Sequence, residues 1–313
     1  MSSPAASIGV SLQNILLATD FSPCSETALA YGIAFCRHYS ATLCTVTVVP
    51  EEITDYVQPP DPFYLRHSAE KKMASLAGLE LFQGIKHREL VKEGFVSEVL
   101  SDLIERFDID LVVLGTHGRG GIKKVVIGSV AEEIVDSAPC PVLTVGPHVP
   151  AKPGSDLKLR RILYTTDLLH GSTRALTYAL WLAEQEHAHL TLLHVLKVPT
   201  DVPLGYPKSE KEVVMKRLVQ LLPPEATASG ETDFIVEVGA PGEQILKTAE
   251  SRNADLIVMG PHHTAFARAS THLPWLTPHQ VLCHARCPVL TVRDLRLEGS
   301  KICATAEEVD QDE

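Results

Sequence analysis

The sequence lacks any apolar run near the roughly 20 residues that a membrane-spanning helix needs. Its start also lacks the basic stretch and the apolar stretch of a secretory signal. We therefore expect a soluble, cytoplasmic protein without membrane contacts. Basic residues are in deficit too, because the formal net charge is −11 at pH 7. That balance disfavours nucleic-acid binding, which requires a basic surface.

Paired cysteines and clustered metal ligands are also missing. The seven cysteines include no C-x-x-C pair, which favours a reducing compartment with mostly buried thiols. Cys283 and Cys287 are four residues apart, but no second pair at zinc-finger spacing accompanies them. His262 and His263 are candidate metal ligands without a supporting H-E-x-x-H helix, so we interpret them as surface or pocket histidines and predict no metal site.

Several catalytic signatures of α/β proteins are absent. The sequence contains no G-x-x-x-x-G-K-[ST] phosphate loop, no G-x-G-x-x-G motif with its following acidic residue, and no G-x-S-x-G elbow. Walker-type ATPases, NAD-dependent enzymes and α/β-hydrolases are therefore disfavoured. No constellation supplies a positioned base or metal to activate water, so no catalytic residue is assigned.

The sequence does contain an internal repeat. N-I-L-L-A-T-D at 14–20 recurs as R-I-L-Y-T-T-D at 161–167, D-L-V-V-L-G at 110–115 as D-L-I-V-M-G at 255–260, and C-P-V-L-T-V at 140–145 again at 287–292. The offsets are 147, 145 and 147 residues, so we predict a duplication with enough apolar residues for two cores. We expect domains at 10–147 and 159–294, a linker at 148–158 and a frayed tail at 295–313.

Each repeat alternates uncharged β-branched runs with amphipathic helical segments. Strands buried on both faces of a parallel sheet have such runs, here residues 15–18, 42–49, 111–114 and 142–145. One helix starts with an N-cap and proline at Ser22 and Pro23, and another with the capping-box sequence from Ser129 to Glu132. The sequence predicts an α/β fold of two tandem, doubly wound parallel-sheet domains.

Glycines follow the third of these runs. Gly115 and Gly118 come first, and after nine further residues Gly128 and Ser129 open the next helix. Glycine lets backbone N–H groups approach an anion without a Cβ in the way, and a helix N-terminus adds unpaired donors. This pattern predicts a phosphate-binding site, and the alternative is an ordinary strand–turn–helix that uses glycine for its geometry.

Asp20 ends the first strand at the same predicted edge, where open α/β sheets bind their ligands. Its carboxylate suits an adenine amino group or a ribose, although by itself it would be interpreted as a turn residue. Lys123, Lys124 and His117 lie in or near the glycine loop, and we interpret them as surface residues.

At these residues the chain resembles the universal stress protein family in its tandem form. The pattern Gly115-x-x-Gly118-x9-Gly128-Ser129 reproduces the family's ATP-binding motif without a gap, and strand-end Asp20 fits as well. The resemblance covers both halves and implies Rossmann-like, adenine nucleotide alpha hydrolase-like domains that bind ATP, with Mg²⁺ as an optional companion.

The resemblance also implies roles for single residues. Asp20 and the backbone of Val48 would contact adenine, the first two glycines would hold the ribose–phosphate region, and Gly128 with Ser129 would hold the terminal phosphates. The family's closing strand commonly forms the subunit interface. We therefore expect an intrachain pseudo-dimer, in which the strand from Val142 to Val145 pairs with the strand from Val289 to Val292. Whole chains could also form a homodimer.

The second repeat departs from the pattern. Gly260 is followed by proline and two histidines, and Trp275 and Leu276 replace the Gly-Ser pair. Bulky side chains there would block the backbone approach that phosphates need, although Asp167 remains. We expect nucleotide binding by the first domain only, in a stress-response or regulatory module. A nucleotide-independent interaction scaffold is the alternative, and a weak ATPase or self-phosphorylating activity ranks third.

Overall fold

The structure, a computed structural model, describes residues 10–49, 62–118, 127–151, 157–169, 173–197, 208–222, 231–260 and 276–294. Within these ranges, no helix combines the length and the apolar character needed to cross a bilayer.

In the first repeat, strands and helices alternate along the chain. They are β1 (Asn14–Ala18), α1 (Pro23–Tyr39), β2 (Thr42–Val49), α2 (Pro62–Ala77), β3 (Lys86–Glu93), α3 (Val96–Arg106), β4 (Leu111–Gly115), α4 (Ser129–Ser137) and β5 (Val142–Val145). The start of α1 is confirmed, because the Ser22 hydroxyl accepts from the Ser25 amide and Pro23 follows the cap. The capping box predicted at Ser129 is wrong: Gly128 is the N-cap of α4, and no side chain caps this helix.

The second repeat has the same order of elements. They are β6 (Arg161–Thr165), α5 (Thr173–Glu186), β7 (His189–Leu196), α6 (Lys208–Val219), β8 (Thr232–Val238), α7 (Pro241–Ser251), β9 (Leu256–Met259), α8 (Leu276–His284) and β10 (Val289–Thr291). Even unusual backbone angles recur, since Phe21 (φ 62°) and Leu168 (φ 63°) are both left-handed directly after the strand-end aspartates. The predicted α/β class is confirmed, and the duplication extends to single backbone conformations.

One ten-stranded sheet runs through both repeats in the order β3-β2-β1-β4-β5-β10-β9-β6-β7-β8. Its neighbouring strands are parallel except for β5 and β10, which pair antiparallel with Val142 opposite Thr291 and Thr144 opposite Val289. Two buried hydroxyls cross this junction. Thr144 Oγ1 donates to the Val289 carbonyl at 3.1 Å, and Thr291 Oγ1 donates to the Val142 carbonyl at 3.2 Å. Both closing strands therefore have a neighbour on each side.

Helices cover both faces of the sheet, and the apolar core on each face extends through both repeats. Helices α1, α2, α5 and α6 cover one face, where the core includes Tyr31, Leu143, Tyr164, Trp181 and Leu218. Helices α3, α4, α7 and α8 cover the other, where the core includes Leu100, Ile134, Ile245 and Val281. Two cores were expected, but the sheet separates them by face and not by repeat, because the junction of β5 with β10 is itself buried.

Helices α1 and α5 meet across the junction at a buried carboxylate. The Tyr39 hydroxyl donates to Glu186 Oε1 at 2.6 Å, and His38 Nε2 lies 2.9 Å from the same oxygen. The Glu186 side chain is only 5% exposed. The Tyr39 ring also stacks on Trp181, with 5.2 Å between centroids. Burial, reinforced by the bond to Glu186, raises the pKa of the Tyr39 phenol, so it stays a proton donor. This contact links the two repeats away from the sheet.

Replacing Tyr39→Phe should lower the free energy of unfolding by about 1–3 kcal/mol, because a buried carboxylate loses its phenol donor while the ring stacking is kept. Urea denaturation of the full chain measures the change. The matched control is Tyr64→Phe on α2, where the side chain is 66% exposed and the same change should stay within about 0.5 kcal/mol. Equal effects at the two sites would contradict a stabilising role for the Tyr39–Glu186 contact.

Candidate functional site

A cavity of about 430 Å³ lies at the carboxyl ends of β1, β2 and β4, beside the first turn of α4. Small-molecule sites usually have volumes of about 300–1,000 Å³. The structure brings the six residues predicted to form the nucleotide site to this one cavity, whose lining includes Asp20, Val48, Gly115, Gly118, Gly128 and Ser129.

The walls of the cavity differ in character. One part is apolar and is built from the strand ends and the start of α3, with Ala18, Val46, Val48, Val96 and Leu114. The other part carries hydroxyl, carboxylate and backbone groups, with Thr19, Asp20, Ser25, Thr116 and the first turn of α4. The lining therefore offers both apolar surface for a flat ring and polar groups for a polar or anionic group.

The first turn of α4 supplies backbone donors to the polar side. The Gly128 amide is engaged, since it donates to the Thr116 carbonyl at 2.8 Å, and the Glu132 amide donates to Gly128 at 3.0 Å. The three residues between them all line the cavity, and their amides have no hydrogen-bond partner in the described part of the chain, namely Ser129, Val130 and Ala131. A helix start of this kind is an anion-binding feature, because unpaired N–H groups coincide with the positive end of the helix dipole.

The motif glycines have different structural reasons. A Cβ on Gly115 would lie 2.9 Å from the Cys24 backbone carbon and from the Ser25 nitrogen, so this glycine lets β4 pack against the start of α1. A Cβ on Gly118 would lie 2.9 Å from Asp20 Oδ2, so Gly118 leaves room for that carboxylate. Gly115 is therefore required for packing, which agrees with the alternative interpretation that the motif uses glycine for its geometry. Gly118, in contrast, keeps the cavity open beside Asp20.

Asp20 has one oxygen in a turn and the other next to the cavity. Its Oδ1 accepts from the Ser22 amide at 3.0 Å. In the second repeat, Asp167 Oδ1 accepts from the Leu169 amide at 2.9 Å in the same way, although that repeat has lost the glycine pattern. The turn is therefore a structural role common to both repeats. The other oxygen of Asp20, Oδ2, lies on the Gly118 side.

A hydroxyl network that the sequence analysis missed ties these elements together. Thr19 Oγ1 donates to Ser25 Oγ at 3.1 Å, and Ser22 Oγ donates to the His117 carbonyl at 3.2 Å. The network joins the end of β1, the start of α1 and the glycine loop. A signal for it exists in the repeat, because the threonine before Asp20 recurs as Thr166.

His117, interpreted from the sequence as a surface residue, lies half-buried in the cavity wall. Its Nδ1 is 2.8 Å from Thr116 Oγ1, and its Nε2 is buried without a hydrogen-bond partner in the described ranges. Burial lowers the pKa of the His117 ring, and three nearby histidines lower it further, namely His148, His279 and His284. A neutral ring is thereby favoured beside the polar part of the cavity.

Some residues weighed in the sequence lie outside the described ranges, namely Lys123, Lys124, His262, His263 and Trp275. Leu276, which takes the place of Ser129 in the second repeat, is the first residue of α8. Among the described residues, no group of three or more His, Cys, Asp or Glu side chains is placed to hold a metal ion. None of the six described cysteines forms a disulfide bond.

Comparison with known proteins bears on both repeats. The model of the Universal stress protein family matches residues 11–146 and again residues 158–293. Universal stress protein A homolog 1 of Coxiella burnetii is 32% identical over 139 residues, which cover 42% of this chain and 95% of that protein. A universal stress protein of Methanocaldococcus jannaschii is 26% identical over 140 residues, which cover 42% of this chain and 81% of that protein. Each of these alignments has the length of one repeat.

The arrangement of two repeats is also found among solved structures. The crystal structure of a universal stress protein from Archaeoglobus fulgidus superposes with a TM-score of 0.63 at 21% identity, and the match covers 89% of this chain and 97% of that chain. At this identity the likeness establishes the fold, a mostly parallel sheet in Rossmann-like domains.

Gly115→Ala should lower the free energy of unfolding by about 1–3 kcal/mol, because its methyl group would meet backbone atoms that cannot move without shifting α1. Chemical denaturation measures the change. Gly32→Ala, within α1 itself, is the control: its Cβ would have ordinary contacts of 3.6 Å or more. That variant should be unchanged or stabilised by up to about 1 kcal/mol. A harmless Gly115→Ala would refute the packing role.

Proposed function

The chain belongs to the universal stress protein family, with two tandem copies of its domain, and on this premise we propose that its first repeat binds ATP as part of a stress-response or regulatory module. One observation carries the proposal: the amides of Ser129, Val130 and Ala131 start a helix at a cavity that is also lined by apolar strand-end residues and by Asp20. An adenine nucleotide has the matching halves, a flat base and an anionic phosphate chain.

The fit suggests how the nucleotide would lie. The base would pack against Val46 and Val48, and Asp20 would accept a hydrogen bond from the adenine amino group or the ribose. Gly115 and Gly118 would flank the ribose and the first phosphates. Gly128 and Ser129 would hold the terminal phosphates, with the Val130 and Ala131 amides as further donors, which suits a chain of net charge −11 because backbone dipoles supply the positive potential.

A Mg²⁺ ion would enter with the phosphates. Magnesium usually keeps several waters and needs only one or two protein oxygens when phosphates share it, and the Ser129 hydroxyl is an oxygen of that kind. We propose ATP as a regulatory ligand and assign no catalytic residue; any hydrolysis or self-phosphorylation would be slow.

We propose that the second repeat has a structural or regulatory role and binds no nucleotide. In this view the chain divides into domains at 10–147 and 159–294, with a linker at 148–158 and a tail at 295–313. The pairing of β5 with β10 makes the two domains an intrachain pseudo-dimer, a homodimer of whole chains is a further level of assembly, and the module works in the cytoplasm. The order that ATP imposes on the glycine loop would be read by a partner or by the second repeat.

Ser129→Pro tests the amide donors directly. Proline is tolerated at the first helical position, and Gly128 before it already has φ −67° and ψ 143°, which a following proline accepts. The variant deletes one N–H, so ATP affinity measured by titration calorimetry should fall about tenfold or more.

The matched control is Ser129→Ala, which removes the hydroxyl and keeps the amide and should cost less than about threefold. Equal affinities in both variants would argue against the amide contact. A wild-type chain that binds no ATP at millimolar concentration would favour the nucleotide-independent scaffold.

The stoichiometry tests the assignment to one repeat. Because Trp275 and Leu276 replace the Gly-Ser pair in the second repeat, calorimetry should give a single ATP per chain. A stoichiometry of two ATP per chain would place a site in the second repeat. So would one ATP that still binds to each of the variants Gly118→Val and Gly128→Val.

A further inference from the structure

The second repeat reaches the wall of the cavity through α8. His279 Nε2 accepts a hydrogen bond from the Ile127 amide at 3.3 Å, across 152 residues of sequence. Ile127 is buried, lines the cavity and directly precedes Gly128, the N-cap of α4. A side chain of the second repeat therefore holds the backbone two residues before the first unpaired amide of α4.

The His279 ring also contacts a side chain of its own helix. The nitrogen that accepts from Ile127 carries no proton, so in the neutral ring the proton lies on Nδ1, which is 4.0 Å from Cys283 Sγ. Burial raises the pKa of Cys283 to about 11, while the nearby Ile127 backbone opposes that rise. Cys283 is therefore a buried thiol whose sulfur can accept from Nδ1, and two side chains one turn apart on α8 lie against the same amide.

The placement of α8 leaves little freedom. A Cβ on Gly146, just after β5, would lie 3.0 Å from the Leu282 carbonyl, so the backbone of α8 rests directly on the end of the first repeat. The helix is also anchored just after His279, since Val281 and Leu282 are buried in the core of that face. His279 thus acts from a rigid helix and not from a mobile loop.

The position is also particular to the second repeat. At the offset of 147 residues, the counterpart of His279 is Glu132 of α4. The repeat that has exchanged its Gly-Ser pair for Trp275 and Leu276 carries, one turn later, the histidine that contacts the site of the other repeat.

We propose that His279 is a positioning residue for the nucleotide site: by holding the Ile127 amide, it sets the start of α4 so that the amides of Ser129 to Ala131 are in place before the phosphates arrive. This inference rests on the proposed function and gives the second repeat its regulatory role. Donors that are already ordered bind more tightly than donors that must be ordered on binding. Any change at the β5–β10 junction that shifts α8 would then change the affinity for ATP.

Three variants of the full chain test the proposal by calorimetric titration with ATP. His279→Ala removes the acceptor and should weaken binding about five- to tenfold. His279→Gln offers a carbonyl oxygen to the same amide and should restore affinity to within about twofold of wild type. Arg286→Ala is the control, because that exposed side chain just after α8 pairs with Glu250 on α7, and it should leave affinity unchanged.

A second readout needs no nucleotide. In the ligand-free chain, amide hydrogen exchange at Ile127 should accelerate about five- to tenfold in His279→Ala and slow again in His279→Gln. Wild-type affinity in His279→Ala, or a loss that Gln does not restore, would overturn the positioning role. If the wild-type chain binds no ATP, the proposed function itself fails. Unchanged exchange at Ile127 in His279→Ala would show separately that the hydrogen bond from Ile127 to His279 does not hold this amide.

Discussion

The antiparallel pairing of β5 with β10 is the contact on which the rest of the structure depends. Each repeat has five strands, and this pairing merges them into one sheet whose cores continue from one repeat into the other. It brings α1 to α5, where Tyr39 and Glu186 meet, and it sets α8 beside the loop that starts α4. Because the crossing hydroxyls of Thr144 and Thr291 are buried, separating the repeats would expose polar groups as well as apolar surface.

Within that frame the two repeats keep one backbone and differ in chemistry. The strand-end turns at Asp20 and Asp167 have the same hydrogen bonds and the same left-handed residue after them. Phosphate binding is favoured only where small residues, such as Gly128 and Ser129, leave the start of a helix accessible. The second copy differs at these positions and supplies a contact that the first copy lacks at the corresponding residue, from His279 to the Ile127 amide.

Local patterns in the sequence predicted many of the elements and the residues that line the cavity, but not β3, whose charged sequence lacks an uncharged run. Uncharged runs marked the central strands, Ser22 and Pro23 marked the start of α1, and the glycine spacing with Asp20 marked the residues that line the cavity. Ser129 was expected as a cap because its side chain can serve as one, yet Gly128 has the extended backbone of the cap. The packing reason for Gly115 lies in α1, 90 residues earlier in the chain, and the contact of His279 with Ile127 spans the repeats. Neither leaves a local signal, because both arise only when separate elements pack together.

If the first turn of α4 binds the phosphates of ATP, its amides must be protected in the complex. Amide hydrogen exchange of the full chain with and without saturating ATP measures this protection. We expect slower exchange at Ser129, Val130 and Ala131 on adding ATP, with no change in the first turn of α8. Unchanged exchange at these three amides in a chain that binds ATP, or protection in α8 in their place, would refute phosphate binding at this turn.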